Sequence, residues 1–223
     1  MNRKLLALAA ISAVFGVINF ASRAAQSGQQ APFQALVSPA SCAQPQWPAE
    51  ARRYEIEGAT TIRFEIGSDG RVLHPAVTQG SGWQILDQAA LQGISSCVFQ
   101  PDLPAASKQT VFPLQYVWKL SGTPAARPVL LADSCPPSDR FATFRAADQR
   151  PSSADGILLR FLVNADGAPT RVVAEPNGQP PALVAQAVGY LQSCRFGYPD
   201  GATAAAGATA ERTDTGFGRV LLK

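Results

Sequence analysis

Thr60-Thr61-Ile62-Arg63-Phe64-Glu65-Ile66 runs into Ser68-Asp69-Gly70, and Ile157-Leu158-Leu159-Arg160-Phe161-Leu162-Val163 runs into Asp166-Gly167. In the first run Thr60, Ile62, Phe64 and Ile66 fall on one face of an extended strand, because successive side chains of a strand point to opposite sides. Asp-Gly then marks a tight hairpin turn, since glycine accepts the positive φ that such turns need. The second run stands 97 residues further on, and the same offset carries Phe64 to Phe161, Leu86 to Leu183, Cys97 to Cys194 and Phe99 to Phe196. Ser96-Cys97-Val98-Phe99 reads beside Ser193-Cys194-Arg195-Phe196. One offset held over so long a stretch is the mark of a duplication, and its length gives two small domains instead of a solenoid.

The rest of the first copy reads outward from its hairpin. Residues 72–79 return as a second strand, which Gly80-Ser81-Gly82 ends. Leu86, Ala90, Gly93 and Cys97, with Ala89 beside them, recur at helical spacing, and Gln100-Pro101 stops that helix. Over residues 110–120, Phe112, Leu114, Tyr116, Trp118 and Leu120 point one way, which predicts a half-buried third strand. Pro113 lacks a ladder donor and places that strand at a sheet edge. A short helix opens at Pro48 and runs through residues 49–53. The second copy repeats the hairpin over 157–175 and the helix over 181–193, with Leu183, Ala187, Tyr190 and Cys194 as its buried stripe. Its leading segment, 138–150, is polar and carries no clear helical pattern. Residues 201–216 read as an Ala/Gly/Thr-rich loop, and 218–222 as a last strand. The expected fold class is α+β: two tandem small domains, 42–120 and 135–223, each a three-stranded antiparallel sheet packed by one or two helices. Residues 25–41 and 121–134 are read as linkers.

Of the 223 residues, 46% are hydrophobic and 16% charged, with a net charge of +3. That composition excludes a chain disordered throughout and a dedicated nucleic-acid binder. A single histidine, His74, excludes a His-rich metal site and any relay that needs two imidazoles. A positive start at Met1 to Lys4, an apolar run over 5–22 and Ser22-Arg23-Ala24 form the pattern of a secretory signal cleaved after Ala24. The competing reading of 1–24 is an uncleaved anchor, whose apolar helix would be about 27 Å long. Either way the remainder is read as exported, with a periplasmic location, and an oxidising compartment makes disulfides the default for four cysteines. Each copy has one cysteine before its first strand and one at its helix end, so the economical pairing is Cys42–Cys97 and Cys135–Cys194. Two other pairings stay open, and the lack of any C-x2-C spacing speaks against a zinc site. In the chain-entropy account each closure contributes about 4 kcal/mol, which matters for cores this thin.

Candidate chemistry is sparse. Asp69 and Asp166 resemble paired carboxylates but occupy matching turns. His74 precedes Pro75 and reads as a surface strand residue, Ser81 lacks the spacing of a nucleophile elbow, and Arg52-Arg53 reads as a solvated helix face. Trp47 and Trp118 read as core, whereas Trp83, opening the helix, is a candidate partner anchor. No acid/base set emerges, so the sequence predicts neither an enzyme nor a cofactor; a hydrolase with an unrecognised site is the remote alternative.

Pro45-Gln46-Trp47-Pro48-Ala49-Glu50-Ala51, then Gly58, Phe64-Glu65-Ile66, Asp69-Gly70-Arg71-Val72, Ser81-Gly82, Leu86-Asp87-Gln88-Ala89-Ala90, Phe99-Gln100-Pro101 and Pro113 together resemble the C-terminal domain of TonB energy transducers. Trp47 stands where that family usually has Tyr. The likeness spans about 42–120 well, and 135–223 mainly through the repeat. It implies a protein that works by contact: an extended segment of an outer-membrane receptor added beside the last strand, where main-chain hydrogen bonds supply affinity. By that analogy Gln115, Val117 and Lys119 are the partner-binding residues. The alternative is an envelope scaffold whose domains pair with each other or form a homo-oligomer. No nucleic acid is expected, and membrane contact only if 1–24 is retained. The spacer over 25–41 reaches at most about 60 Å, too short for a long force-transmitting rod.

Overall fold

The computed structural model describes residues 35–42, 44–101, 111–122, 124–198 and 212–223. The export segment 1–24, most of the 25–41 spacer and residues 201–211 lie outside that set.

The first copy contains helix α1 (Ala49–Arg53), strands β1 (Gly58–Ile66) and β2 (Val72–Gln79), helix α2 (Gln84–Ser95) and strand β3 (Phe112–Trp118). The second contains β4 (Val129–Leu130), β5 (Phe141–Ala146), β6 (Gly156–Val163), β7 (Pro169–Glu175), helix α3 (Pro181–Ser193), β8 (Phe196–Gly197) and β9 (Thr215–Leu222). The fold is α+β with antiparallel sheets, ordered β2-β1-β3 in the first copy and β5-β9-β6-β7 in the second.

Matching details recur in the structure at the same 97-residue offset. Gly70 and Gly167 adopt φ of 79° and 76°, and each carbonyl accepts a 2.8 Å bond from the amide of Phe99 or Phe196. A Cβ at either glycine would strike that phenylalanine's own carbonyl, so the turn and the chain after the helix are locked together. His74 and Arg171, also 97 apart, both bulge their strand with positive φ, 49° and 48°. Leu36 bridges Phe99 as Leu130 of β4 pairs with Phe196 of β8. The stretches read as linkers therefore carry paired backbone just ahead of each copy. Disulfides join Cys42 to Cys97 and Cys135 to Cys194.

Each copy has its own core. Ile62, Phe64 and Ile66 of β1 face Leu86, Ala90 and Ile94 of α2, with Ala51 and Phe99 closing the ends. Ile157, Leu159 and Phe161 of β6 face Ala187 and Leu191 of α3, with Phe144, Phe196 and Val220. Two corrections concern the second copy. Its sheet has four strands, because the polar leader 138–150 contains β5. Its β6 is buried on both faces, and Leu158 belongs to the first copy's core.

The second face of the β6–β9 sheet closes over α1, the turn after it and the start of α2. Trp83, proposed above as a partner anchor, is fully buried there, edge-on to Phe217 at 5.5 Å. It is an anchor within the chain.

Candidate functional site

Two regions gather polar and exposed groups: the seam between the copies and the free edge of the first sheet.

The seam centres on Arg160. This strand residue is 5% exposed, and its guanidinium pairs with Glu175 and, at 2.9 Å, with Glu50 while lying 5.4 Å from the Tyr54 ring centre. Burying a charge is tolerable only when partners replace water. Glu175 also accepts from the Gln84 amide at 3.1 Å, so the second copy caps the α2 N-terminus, which has no side-chain cap of its own. Arg53 forms a two-pronged pair with Asp214 at 2.9 and 2.7 Å. The hydrogen bond from Arg53 holds the Asp214 carboxyl below its usual range. Arg127, whose pKa burial pushes down, donates to the Glu55 carbonyl at 2.9 Å and lies 4.9 Å from the Phe217 ring centre. Every cation here is matched to a carboxylate or carbonyl of the other copy or of the connecting chain. Such an arrangement holds the two copies together.

The edge is β3. Pro113 is the key to its backbone. It pairs with Arg63 although it has no N–H, so its peptide side must face away from β1. Backbone direction alternates along a strand, so Gln115 and Val117 also turn their N–H and C=O outward. Among the described residues no strand pairs with that side. All three side chains are exposed, Val117 by 65%. Lys119 lies just beyond the strand end. On the other side of the strand Tyr116 and Trp118 lie 6.4 Å apart, and Trp47 sits 6.2 Å from Trp118. Desolvation by burial pushes the Tyr116 hydroxyl up to about 12.

The second copy presents the equivalent edge already filled. β9 pairs with β6 in the register that β3 keeps with β1: Ile157 opposite Val220 answers Thr60 opposite Tyr116. Gln115, Val117 and Lys119 correspond to Arg219, Leu221 and Lys223. β5 lies antiparallel along that side, with Ala147 donating to the Phe217 carbonyl at 2.9 Å and Lys223 donating to the Arg140 carbonyl at 3.0 Å.

Of the other residues singled out, Asp69 accepts from the Arg71 amide at 3.0 Å in its turn, and Ser81 exchanges hydrogen bonds with Trp83 at the start of α2. His74 is exposed and lies 3.4 Å from Glu65. None of the three joins a cluster. The residues that sequence reasoning missed are Arg160 and Glu175, although an arginine inside an otherwise apolar strand was the available signal.

The first copy thus presents a sheet edge left unpaired among the described residues, backed by a disulfide-tied α+β core. Residues 43–120, which lie within the first copy, match the family described as Gram-negative bacterial TonB protein C-terminal. No curated protein matches the chain. A solved structure, described as a molecular characterization of the TonB2 protein from Vibrio anguillarum, aligns at 17% identity with a TM-score of 0.32, over 54% of this chain and all of the other.

Proposed function

We propose that this is an exported, non-enzymatic protein of the periplasm that binds an outer-membrane receptor by taking an extended receptor segment as a fourth strand beside β3. The observation that carries the reading is the contrast of equivalent edges: β9 holds a strand, and β3, built to the same register, holds none among the described residues. Main-chain pairing supplies affinity at such an edge, and Gln115, Val117 and Lys119 meet the incoming side chains. The two intramolecular disulfides fit an oxidising compartment.

The test uses the exported protein immobilised against detergent-solubilised outer membranes. Gln115→Pro and Val117→Pro each remove one outward N–H and leave the β1 ladder intact, as Pro113 already does. Receptor capture is expected to fall at least about tenfold for each variant, one lost hydrogen bond plus a local clash, with an unchanged circular dichroism spectrum. Undiminished capture by both variants would reject edge binding.

A second reading is a scaffold whose copies pair with each other and need no receptor. The charge-matched seam through Arg160 and Arg53 favours it. Absence of any captured receptor from a native envelope extract, with the protein folded and oxidised, would select it.

A further inference from the structure

The seam between the copies does not close along its whole length. A cavity of about 770 Å³ remains where the turn after α1, the chain after β3, the end of β8 and the start of β9 meet. Both copies and the connecting chain line it, and its size is that of a small-ligand site at a domain interface.

The lining is cross-tied. The Glu57 carboxylate accepts from the Leu120 amide at 2.6 Å, which holds the chain after β3 to the turn before β1. The connecting chain then runs beside the second copy. Ala126 bridges Arg212 in parallel, and the Thr213 amide donates to the Ala126 carbonyl at 3.1 Å. The Tyr198 hydroxyl donates to the Thr213 carbonyl at 2.7 Å. Arg127 spans both copies, donating to the Glu55 carbonyl at 2.9 Å and to the Thr215 hydroxyl. A cleft tied in this way is pre-formed, so a ligand entering it orders little of the chain.

Charge is divided unevenly over the lining. On the first copy's side Glu55 and Glu57 share one cation, Arg127, which lies 3.2 Å from Glu55. Among the described residues Glu57 is bonded to an amide and to no cation of its own. On the second copy's side Asp214 is matched by Arg53 at 2.7 Å. Arg212 is exposed, lies 4.7 Å from the Tyr198 ring centre and has no carboxylate partner among the described residues. The first copy thus contributes an unmatched negative charge and the second an unmatched positive one. Leu120, Pro124 and Phe217 add apolar surface, and Ser121 and Gln149 add hydrogen-bonding groups. A simple anion would leave Glu57 unmatched, and a simple cation would leave Arg212 unmatched. A zwitterion satisfies both, through charge-assisted hydrogen bonds.

We propose that this cleft is a binding site for a short peptide with free termini. Its ammonium group pairs with Glu57, its carboxylate with Arg212, and its apolar side chains lie against Leu120 and Phe217. Ligand sites bury most of their ligand's surface, and a cavity of this volume is too roomy for a single amino acid. The site is separate from the outer backbone of β3, so receptor capture and peptide binding can each fail without the other.

The experiment titrates the whole oxidised protein with the tripeptide Ala-Leu-Ala, followed by amide NMR shifts, beside its N-acetylated and C-amidated forms. Saturable shifts at Glu57, Ser121 and Arg212 are expected, with one peptide per chain. Either blocked form should bind at least about tenfold more weakly, the loss of one charge-assisted bond. Glu57→Gln keeps an acceptor for the Leu120 amide and removes the charge. It should weaken Ala-Leu-Ala about tenfold and leave the acetylated form unaffected. Arg212→Gln should weaken Ala-Leu-Ala similarly and leave the amidated form unaffected. Circular dichroism and intact disulfides check that both variants are folded. Absence of shifts at millimolar peptide, equal affinity for the blocked forms, or undiminished binding by the folded variants would each overturn the proposal. So would shifts confined to Gln115 and Val117, which would put the peptide on the β3 edge.

Discussion

β3 and β9 occupy the same place in two sheets of one chain, yet among the described residues one ends its sheet and the other lies inside. The difference lies in the side chains. β9 gives up two large residues for Gly216 and Gly218, and the resulting hollow is filled only when β5 brings Phe144 across it. β3 keeps Phe112 and Leu114, so its core is complete with three strands and its outer backbone is surplus to stability. One sheet is thus closed by its own β5, and the other ends at β3 among the described residues. The seam follows the same logic, because the second sheet buries both faces of β6 and spends the outer one on the first copy's helices.

The sharpest way to break this comparison is to empty the socket. Phe144→Ala is expected to cost about 3–5 kcal/mol in urea denaturation, the range for a buried phenylalanine. Val117→Ala on the open edge should stay within about 0.5 kcal/mol. Similar losses at both positions would mean that the edges are not the opposites described.

A somewhat smaller effect is expected at the seam. Arg160→Met strips Glu175 and Glu50 of their common partner and should destabilise by about 3 kcal/mol. Glu175→Leu added to Arg160→Met should restore most of it, since a paired apolar replacement removes the orphaned charge. If the double variant is as unstable as the single one, the pair does more than satisfy itself.

The smallest effect concerns acid. The Asp214 carboxyl is held below its ordinary value of 3.8 by Arg53, so its contribution is complete above that value and is lost as pH falls towards the depressed folded value. Both groups are about half exposed, which limits the gain to under about 1 kcal/mol. Thermal melts between pH 5 and 3 should therefore show a slightly steeper decline for the native chain than for Asp214→Asn. Parallel declines would remove this pair from the seam's stability.

Much of the first copy was legible because its signals are local. Alternation in 60–66, the Asp-Gly turn, the stripe through Leu86 and Ala90, and Pro113 at an edge each follow from neighbours within a few residues. β5 was illegible for a definite reason. Its extra residue shifts the buried side chains to Phe141 and Phe144, three apart, which erases the two-residue period by which strands are recognised. Arg160 carries no local signal of burial, because the acids that match it are remote in the chain. A strand covered on both sides reads as nearly continuous hydrophobicity, and an arginine within it requires acids that the chain supplies from far away, at Glu50 and Glu175.

By itself the sequence determined the hairpins, their turns and the helix stripes, since these depend on backbone preference and on periodicity over a dozen residues. Only the tertiary structure decided which strand kept a bare edge and which cations were matched. Those outcomes depend on whether a segment remote in the chain, such as β5 beside β9 or Glu50 beside Arg160, finds a hollow or a charge to satisfy, and the energy of that meeting exists only once the whole chain has closed.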